Sequence, residues 1–216
     1  MTRLVSGVLL AFLIGMGAQA RADADGLCDR AALVASEASG VPLRVLLALT
    51  RVETGRSGSG GLRPWPWTMN IEGRGYWLGT RAEARGLATR TVFGGTKSFD
   101  VGCFQINYRW HGKNFRSLDD MFDPIANAEY AADFLSELYA EFGSWPKAVA
   151  AYHSRNPIFS EKYLRRFNQI ATNLNAGTIR EQIASLPISG IRAGASLASV
   201  SGTTSQVPLN SLWSTN

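Results

Sequence analysis

Cysteine and histidine are nearly absent from this chain. Only Cys28, Cys103, His111 and His153 occur in 216 residues, and they are dispersed. Such spacing cannot by itself assemble a metal site, so neither a metal nor another cofactor is expected. Lys and Arg never gather into a dense run, and 22 basic against 17 acidic residues is a mild excess. A phosphate backbone has nothing here to grip, and nucleic acid is not an expected partner. No nucleophile-elbow pattern surrounds a serine, which leaves a hydrolase triad built on Ser154 and His153 without support. No internal repeat is found. Beyond the N-terminal stretch, no apolar run approaches the ~20 residues that a membrane-spanning helix needs.

What is present begins with Met1-Thr2-Arg3, an apolar stretch from Leu4 to Ala18, and small-residue sites at Ala18-Gln19-Ala20 and Ala20-Arg21-Ala22. This is the order of a secretory signal peptide over residues 1–22, which implies a periplasmic protein; an uncleaved membrane anchor is the competing reading. Loss of Arg3 and Arg21 with the leader lowers the net charge from +5, leaving a mild attraction to anionic polymers. In an exported protein the two cysteines are expected to pair as a Cys28–Cys103 disulfide, a long-loop bridge worth roughly 2–4 kcal/mol. Two buried thiols are the alternative.

The pattern predicts a mainly α domain over residues 23–176 with one small β-hairpin excursion. Apolar residues recur at helical spacing from Leu27 to Ser39, and Gly40-Val41-Pro42 breaks the chain before a second helix, Pro42 to Thr54. Leu43, Val45, Leu46, Leu47, Ala48, Leu49 and Val52 make that helix apolar on nearly all sides, as a buried central helix is. Aromatics around Gly73-Arg74-Gly75, from Trp65 to Leu78, fit an irregular hairpin. Thr80-Arg81-Ala82-Glu83 is a capping box opening a helix to about Arg90. A turn-like stretch comes next at Asp100-Val101-Gly102. Asp123-Pro124 opens a helix to Phe142, Ser144-Trp145-Pro146 one through Ser154, and Ser160 to Leu174 is the last. Residues 177–216 carry few charges and no clear period, and are expected to form a largely disordered tail whose scattered aliphatics offer a contact to a partner.

One carboxylate differs from the rest. Asp119, Asp120, Glu129, Asp133, Glu137 and Glu141 fall at or near helix surfaces, where solvation accounts for them. Glu53 ends the most apolar helix, where lost hydration and the negative helix C-terminus both disfavour its ionised form. A raised pKa suits a general acid working near neutral pH. An ion pair of Glu53 with Arg51 or Arg56 is the structural alternative.

Three short motifs lie around it in order: Glu53-Thr54, then Gly102-Cys103-Phe104-Gln105-Ile106-Asn107, then Ala151-Tyr152-His153. They resemble the Glu-Ser, Gly-Leu-Met-Gln and Ala-Tyr-Asn motifs of the soluble lytic transglycosylase domain. Asn127 to Leu135 also resembles that family's Asn-led helix. The resemblance spans about Leu27 to Leu164, and each motif alone is weak. It implies a lysozyme-like fold and cleavage of peptidoglycan glycan strands between N-acetylmuramic acid and N-acetylglucosamine. Glu53 would act as acid and then as base, closing a 1,6-anhydro ring. By the same resemblance Tyr152 matches the tyrosine that hydrogen-bonds the glutamate, and Gln105 the glutamine that contacts the sugar acetamide. Phe104 keeps an apolar wall to the cleft, and His153 brings a titratable ring to it where the family has asparagine. Thr54 replaces the family's serine, and Phe134 stands where tyrosine is common.

Two other functions compete. A lysozyme-type hydrolase needs a second carboxylate, for which Asp100 is the first candidate and Glu72 the second. A non-catalytic peptidoglycan-binding module is the other, with the tail recruiting a protein of an envelope-spanning machine. Trp65, Trp67, Tyr76 and Trp77 are expected either to wall the cleft or to pack a small subdomain.

Overall fold

The computed structural model describes residues 24, 26–58 and 61–185. The expected signal peptide, and the tail beyond residue 185, lie outside the described residues. No helix among the described residues is long and apolar enough to cross a membrane.

The first helix, α1 (Leu27–Ser39), ends at Gly40, whose φ of 77° turns the chain into α2 (Leu43–Thr54). Val45, Leu46, Leu47, Ala48 and Leu49 are at most 1% exposed, so α2 is the central helix that its uniform apolarity predicts. The long helix α6 (Pro124–Phe142) lies against α1, where Ala31, Ala32 and Ala35 of one meet Ala128, Ala131 and Ala132 of the other. Small side chains on both faces allow close approach of the backbones. Asp123 accepts from the N–H groups of Ile125 and Ala126, both at 3.1 Å, and sets where α6 begins. Helices α7 (Trp145–His153) and α8 (Pro157–Asn173) complete the bundle, with α8 packed on α2.

Between α2 and α6 lie the small strands. β1 (Arg56–Gly58) pairs with β2 (Gly61–Arg63). A separate antiparallel sheet holds β3 (Thr68–Ile71), β4 (Arg74–Trp77), β5 (Phe99–Val101) and β6 (Ile106–Asn107) in the order β4-β3-β5-β6. Its hairpin β3-β4 is the one expected from the aromatics. β5 and β6 correct the turn-like reading of residues 100–102: three-residue and two-residue strands are too short to show alternation. α3 (Arg81–Phe93) begins at Thr80, whose hydroxyl accepts from the Glu83 N–H at 3.2 Å. Two short helices, α4 (Tyr108–His111) and α5 (Leu118–Met121), lead on to α6.

A second correction concerns the segment from residue 177. Ala176–Ser185 form a helix, α9, rather than disordered chain. Ile179 and Ile183 are one turn apart on its inner face, Ile183 is buried, and Arg180 reaches Glu37 of α1 at 2.6 Å. Two aliphatics in an otherwise polar stretch do not raise a periodic signal, but the groove beside α1 gives them a place to pack.

The turn from Gly102 to Gln105 ties the sheet to the bundle. Asn127, fully buried, donates to the carbonyls of Val101 (3.2 Å) and Met121 (3.0 Å) and accepts from the Phe104 N–H (2.9 Å). Gly102 has a φ of 80°, and a Cβ there would stand 2.7 Å from the Asn127 amide. A disulfide joins Cys103 in this turn to Cys28 on α1. Asn127→Ala removes three buried hydrogen bonds to the backbone and is expected to cost about 2–4 kcal/mol in urea unfolding. Gly102→Ala is expected to destabilise as well, through both strain and contact.

Candidate active site

Glu53 sits in the last turn of α2 and opens on a cleft of about 550 Å³ between the bundle and the four-stranded sheet. The chain must leave the helix sharply here. A side chain at Gly55 would strike the Arg51 carbonyl and the Leu62 side chain, so only glycine fits. Thr54, fully buried, anchors the chain beyond the helix: its hydroxyl donates to the Thr50 carbonyl at 3.0 Å and accepts from the Trp65 N–H at 3.2 Å. Its carbonyl accepts from the Trp77 indole at 3.1 Å. Threonine therefore keeps the hydroxyl of the family's serine and uses it to fix the residue 56–80 excursion.

The two arginines beside Glu53 are engaged elsewhere. Arg51 makes a paired contact with Asp29 at 2.6 and 2.8 Å, and the Arg56 guanidinium lies 5.6 Å from the centre of the Trp77 ring. What meets the Glu53 carboxylate is the Tyr163 hydroxyl, which donates to Oε1. Burial raises the Glu53 pKa from 4.5 to about 7, the Tyr163 hydrogen bond opposes that rise, the charge of Asp100 adds to it, and Arg166 offsets it in part. The acid is thus close to half protonated at neutral pH, where proton donation and return are both accessible.

Tyr152 does not have the role expected of it. Its hydroxyl donates to the Phe104 carbonyl at 2.8 Å, and Tyr163 from α8 takes the place beside Glu53. Tyr152 still lines the cleft, with its ring 5.5 Å from that of Phe134. Phe104 also departs from expectation: it is 0% exposed and belongs to the core, because the Gly102–Gln105 turn sends both Cys103 and Phe104 inward. Gln105 does reach the cleft. Its φ of 48° is a left-handed conformation, held by donation from Nε2 to the carbonyls of Gly102 (2.9 Å) and Thr68 (3.2 Å). His153 lines the cleft as well, its ring stacked on Tyr163 at 4.3 Å, and burial lowers its pKa.

Of the two candidate partner acids, Asp100 is in the cleft and Glu72 is not. Asp100 accepts from the Asn107 amide at 2.7 Å, and burial raises its own pKa. Glu72 is exposed in the two-residue turn of the β3-β4 hairpin, with a φ of 50°. Among the four hairpin aromatics, Trp67 is buried, Trp65 and Tyr76 pack on the core, and Trp77 alone faces the cleft. Sequence reasoning missed Tyr163, Trp110 and His111. For Tyr163 a signal existed: with Phe167 and Ala171 it forms the buried stripe of α8, and a phenol on an apolar stripe needs a partner for its hydroxyl. A larger groove, about 1020 Å³, runs beside α8 and α9, but its one acidic lining residue, Asp29, is already bonded to Arg51.

A mainly helical body, a small sheet and a buried acid over a cleft define a lysozyme-like domain. Residues 82–175 match the family model of the transglycosylase SLT domain. The family implies transglycosylase activity with peptidoglycan as substrate. Neither the curated proteins nor the solved structures give a match. The matched region holds Gln105, Tyr152 and Tyr163, whereas Glu53 precedes it and joins it through the Tyr163 hydrogen bond.

Two measurements probe the state of Glu53. Its folded pKa lies above its unfolded value, so the protonated form favours folding and stability falls as pH rises from about 4.5 to about 7. Glu53→Gln should therefore stabilise the protein by about 2–3 kcal/mol at pH above 7, with little gain below 4.5, in paired thermal unfolding. Tyr163→Phe removes the hydrogen bond that favours the carboxylate. Titration of labelled glutamate by NMR should then place Glu53 higher than in the parent protein.

Proposed function

We propose that this protein is a peptidoglycan lytic transglycosylase in which Glu53 is the acid and the base. The observation that carries this is the Glu53 carboxyl, half-buried at the cleft and hydrogen-bonded to Tyr163 of the matched domain, with its pKa raised to about 7. Protonated Glu53 donates to the glycosidic oxygen between N-acetylmuramic acid and N-acetylglucosamine, and the bond from the muramic C1 to that oxygen breaks. The resulting carboxylate takes the proton of the muramic C6 hydroxyl as its oxygen bonds to C1. The product is a 1,6-anhydro ring, and Glu53 is again protonated.

In this scheme one carboxyl does all the proton transfer, and the Asp100 charge serves to keep Glu53 protonated. The Tyr163 hydroxyl steadies the carboxylate between the two steps. Gln105 spends its amide hydrogens on the Gly102 and Thr68 carbonyls, which leaves its Oε1 to accept from a sugar acetamide N–H. An N-terminal signal peptide would place the enzyme in the periplasm, where it opens the wall locally for an envelope-spanning machine.

The test is mass spectrometry of the soluble products released from purified peptidoglycan, with Glu53→Gln alongside. Anhydro-muropeptides are expected from the parent protein, with at least a hundredfold loss in the variant, the scale on which general acid–base catalysis acts, roughly 10²–10⁴. Reducing-end products would overturn the anhydro mechanism in favour of hydrolysis assisted by Asp100. No product from either protein would overturn catalysis in favour of binding alone.

A further inference from the structure

The short helix α4 carries two side chains that the proposed reaction does not use. Trp110 is 65% exposed, lines the same cleft as Glu53, and has the Arg109 guanidinium 5.0 Å from its ring centre. A large ring left in water costs hydration free energy that burial elsewhere in the fold would recover. His111, the next residue, also lines the cleft. Its ring is wedged against Tyr130 and Phe134, with centroids 5.5 and 5.1 Å away.

The hydrogen bonds of His111 favour one tautomer. Its Nδ1 is 2.7 Å from the Tyr130 hydroxyl, and the Asn114 amide donates to that same hydroxyl oxygen at 2.9 Å. With one acceptor position of the hydroxyl already taken, donation of its hydrogen to Nδ1 is the favoured arrangement, and it leaves the ring proton on Nε2. Burial lowers the His111 pKa, and the charge of Glu137 opposes that shift. Among the described residues Nε2 has no protein partner, and it is not a buried atom left unsatisfied. In this tautomer it is an N–H donor available at the cleft. The helix is also fixed relative to the acids: Asn107, its N-cap, accepts from the Arg109 N–H at 3.0 Å and donates to Asp100 at 2.7 Å.

We propose that α4 forms a sugar subsite of the cleft, in which the Trp110 ring stacks on the apolar face of a hexopyranose and His111 Nε2–H donates to the carbonyl of its N-acetyl group. A flat aromatic surface binds a sugar face whatever its substituents, whereas an N–H donor selects an amide carbonyl. Trp110 and His111 would touch the glycan. Tyr130 is a positioning residue that acts through the His111 tautomer. The proposal rests on the cleft being a glycan site and deepens that assignment.

The test uses Glu53→Gln protein, so that ligand is not consumed. Calorimetry compares β-1,4-linked N-acetylglucosamine oligomers with glucose oligomers of equal length, which differ only at the C2 substituent. Adding Trp110→Ala, an exposed change that leaves the core intact, should weaken both ligands alike by roughly tenfold. Adding His111→Phe, which keeps the ring packing, should erase roughly tenfold of the preference for the N-acetylated oligomer. Tyr130→Phe should reduce the same preference without touching the ligand. Unchanged binding with Trp110→Ala, or a preference that survives both His111→Phe and Tyr130→Phe, would overturn the subsite. If peptidoglycan yields no products with the parent protein while these binding effects appear, the proposed cleavage fails and the subsite stands.

Discussion

The contact between the Tyr163 hydroxyl and the Glu53 carboxylate is the point on which the rest of the structure depends. Burying a carboxyl at the end of an apolar helix raises its pKa. The phenol supplies the opposing influence. With the charge of Arg166 it favours the ionised form and leaves the group near 7, against burial and the Asp100 charge together. For that balance to exist, α2 must bring Glu53 to a cleft and α8 must pack on α2 with Tyr163 inward. The helical bundle is what holds those two requirements at once.

The side of the cleft opposite the bundle is built by the turn from Gly102 to Gln105. Cys103 is tied to α1 by a disulfide, Phe104 is driven into the core, and Gln105 is held in a left-handed conformation facing the cleft. Asn127 from α6 satisfies the turn's backbone from behind, with every amide hydrogen spent. A buried polar group so fully satisfied rigidifies what it touches, and here it touches both the sheet and the bundle. Thr54 does the corresponding work on the other flank, fixing Trp65 and Trp77 to the end of α2.

Much of the helical framework is legible in the linear order of residues. Pro42, Thr80, Asp123 and Ser144 announce helix starts, and Gly40 and Gly143 announce ends, because capping chemistry is local. The apolar run of α2 and the outlying position of Glu53 are likewise readable, since hydration and helix polarity are properties of the segment itself. The short strand β5 is not, because its partner β3 lies about thirty residues away, and the two-residue β6 exists only through its pairing with β5. Nor is α9, which is held by Ile179 packing on the core and Arg180 reaching Glu37 of α1 rather than by its own composition.

The roles of the tyrosines divide along the same line. A motif places Tyr152 next to His153, and order along the chain suggests that it meets Glu53, but which of two buried phenols reaches a carboxylate depends on how α7 and α8 cross α2. Packing gave that contact to Tyr163 and turned Tyr152 to the Phe104 carbonyl. Phe104 shows the same limit, since its neighbours in sequence do not reveal that the turn points inward. By itself the sequence determined most of the helices, the family resemblance and the unusual setting of Glu53, because those arise from periodicity, caps and local hydration. Only the tertiary structure decided what surrounds the acid, because hydrogen-bond partners and burial are set by segments that are distant along the chain.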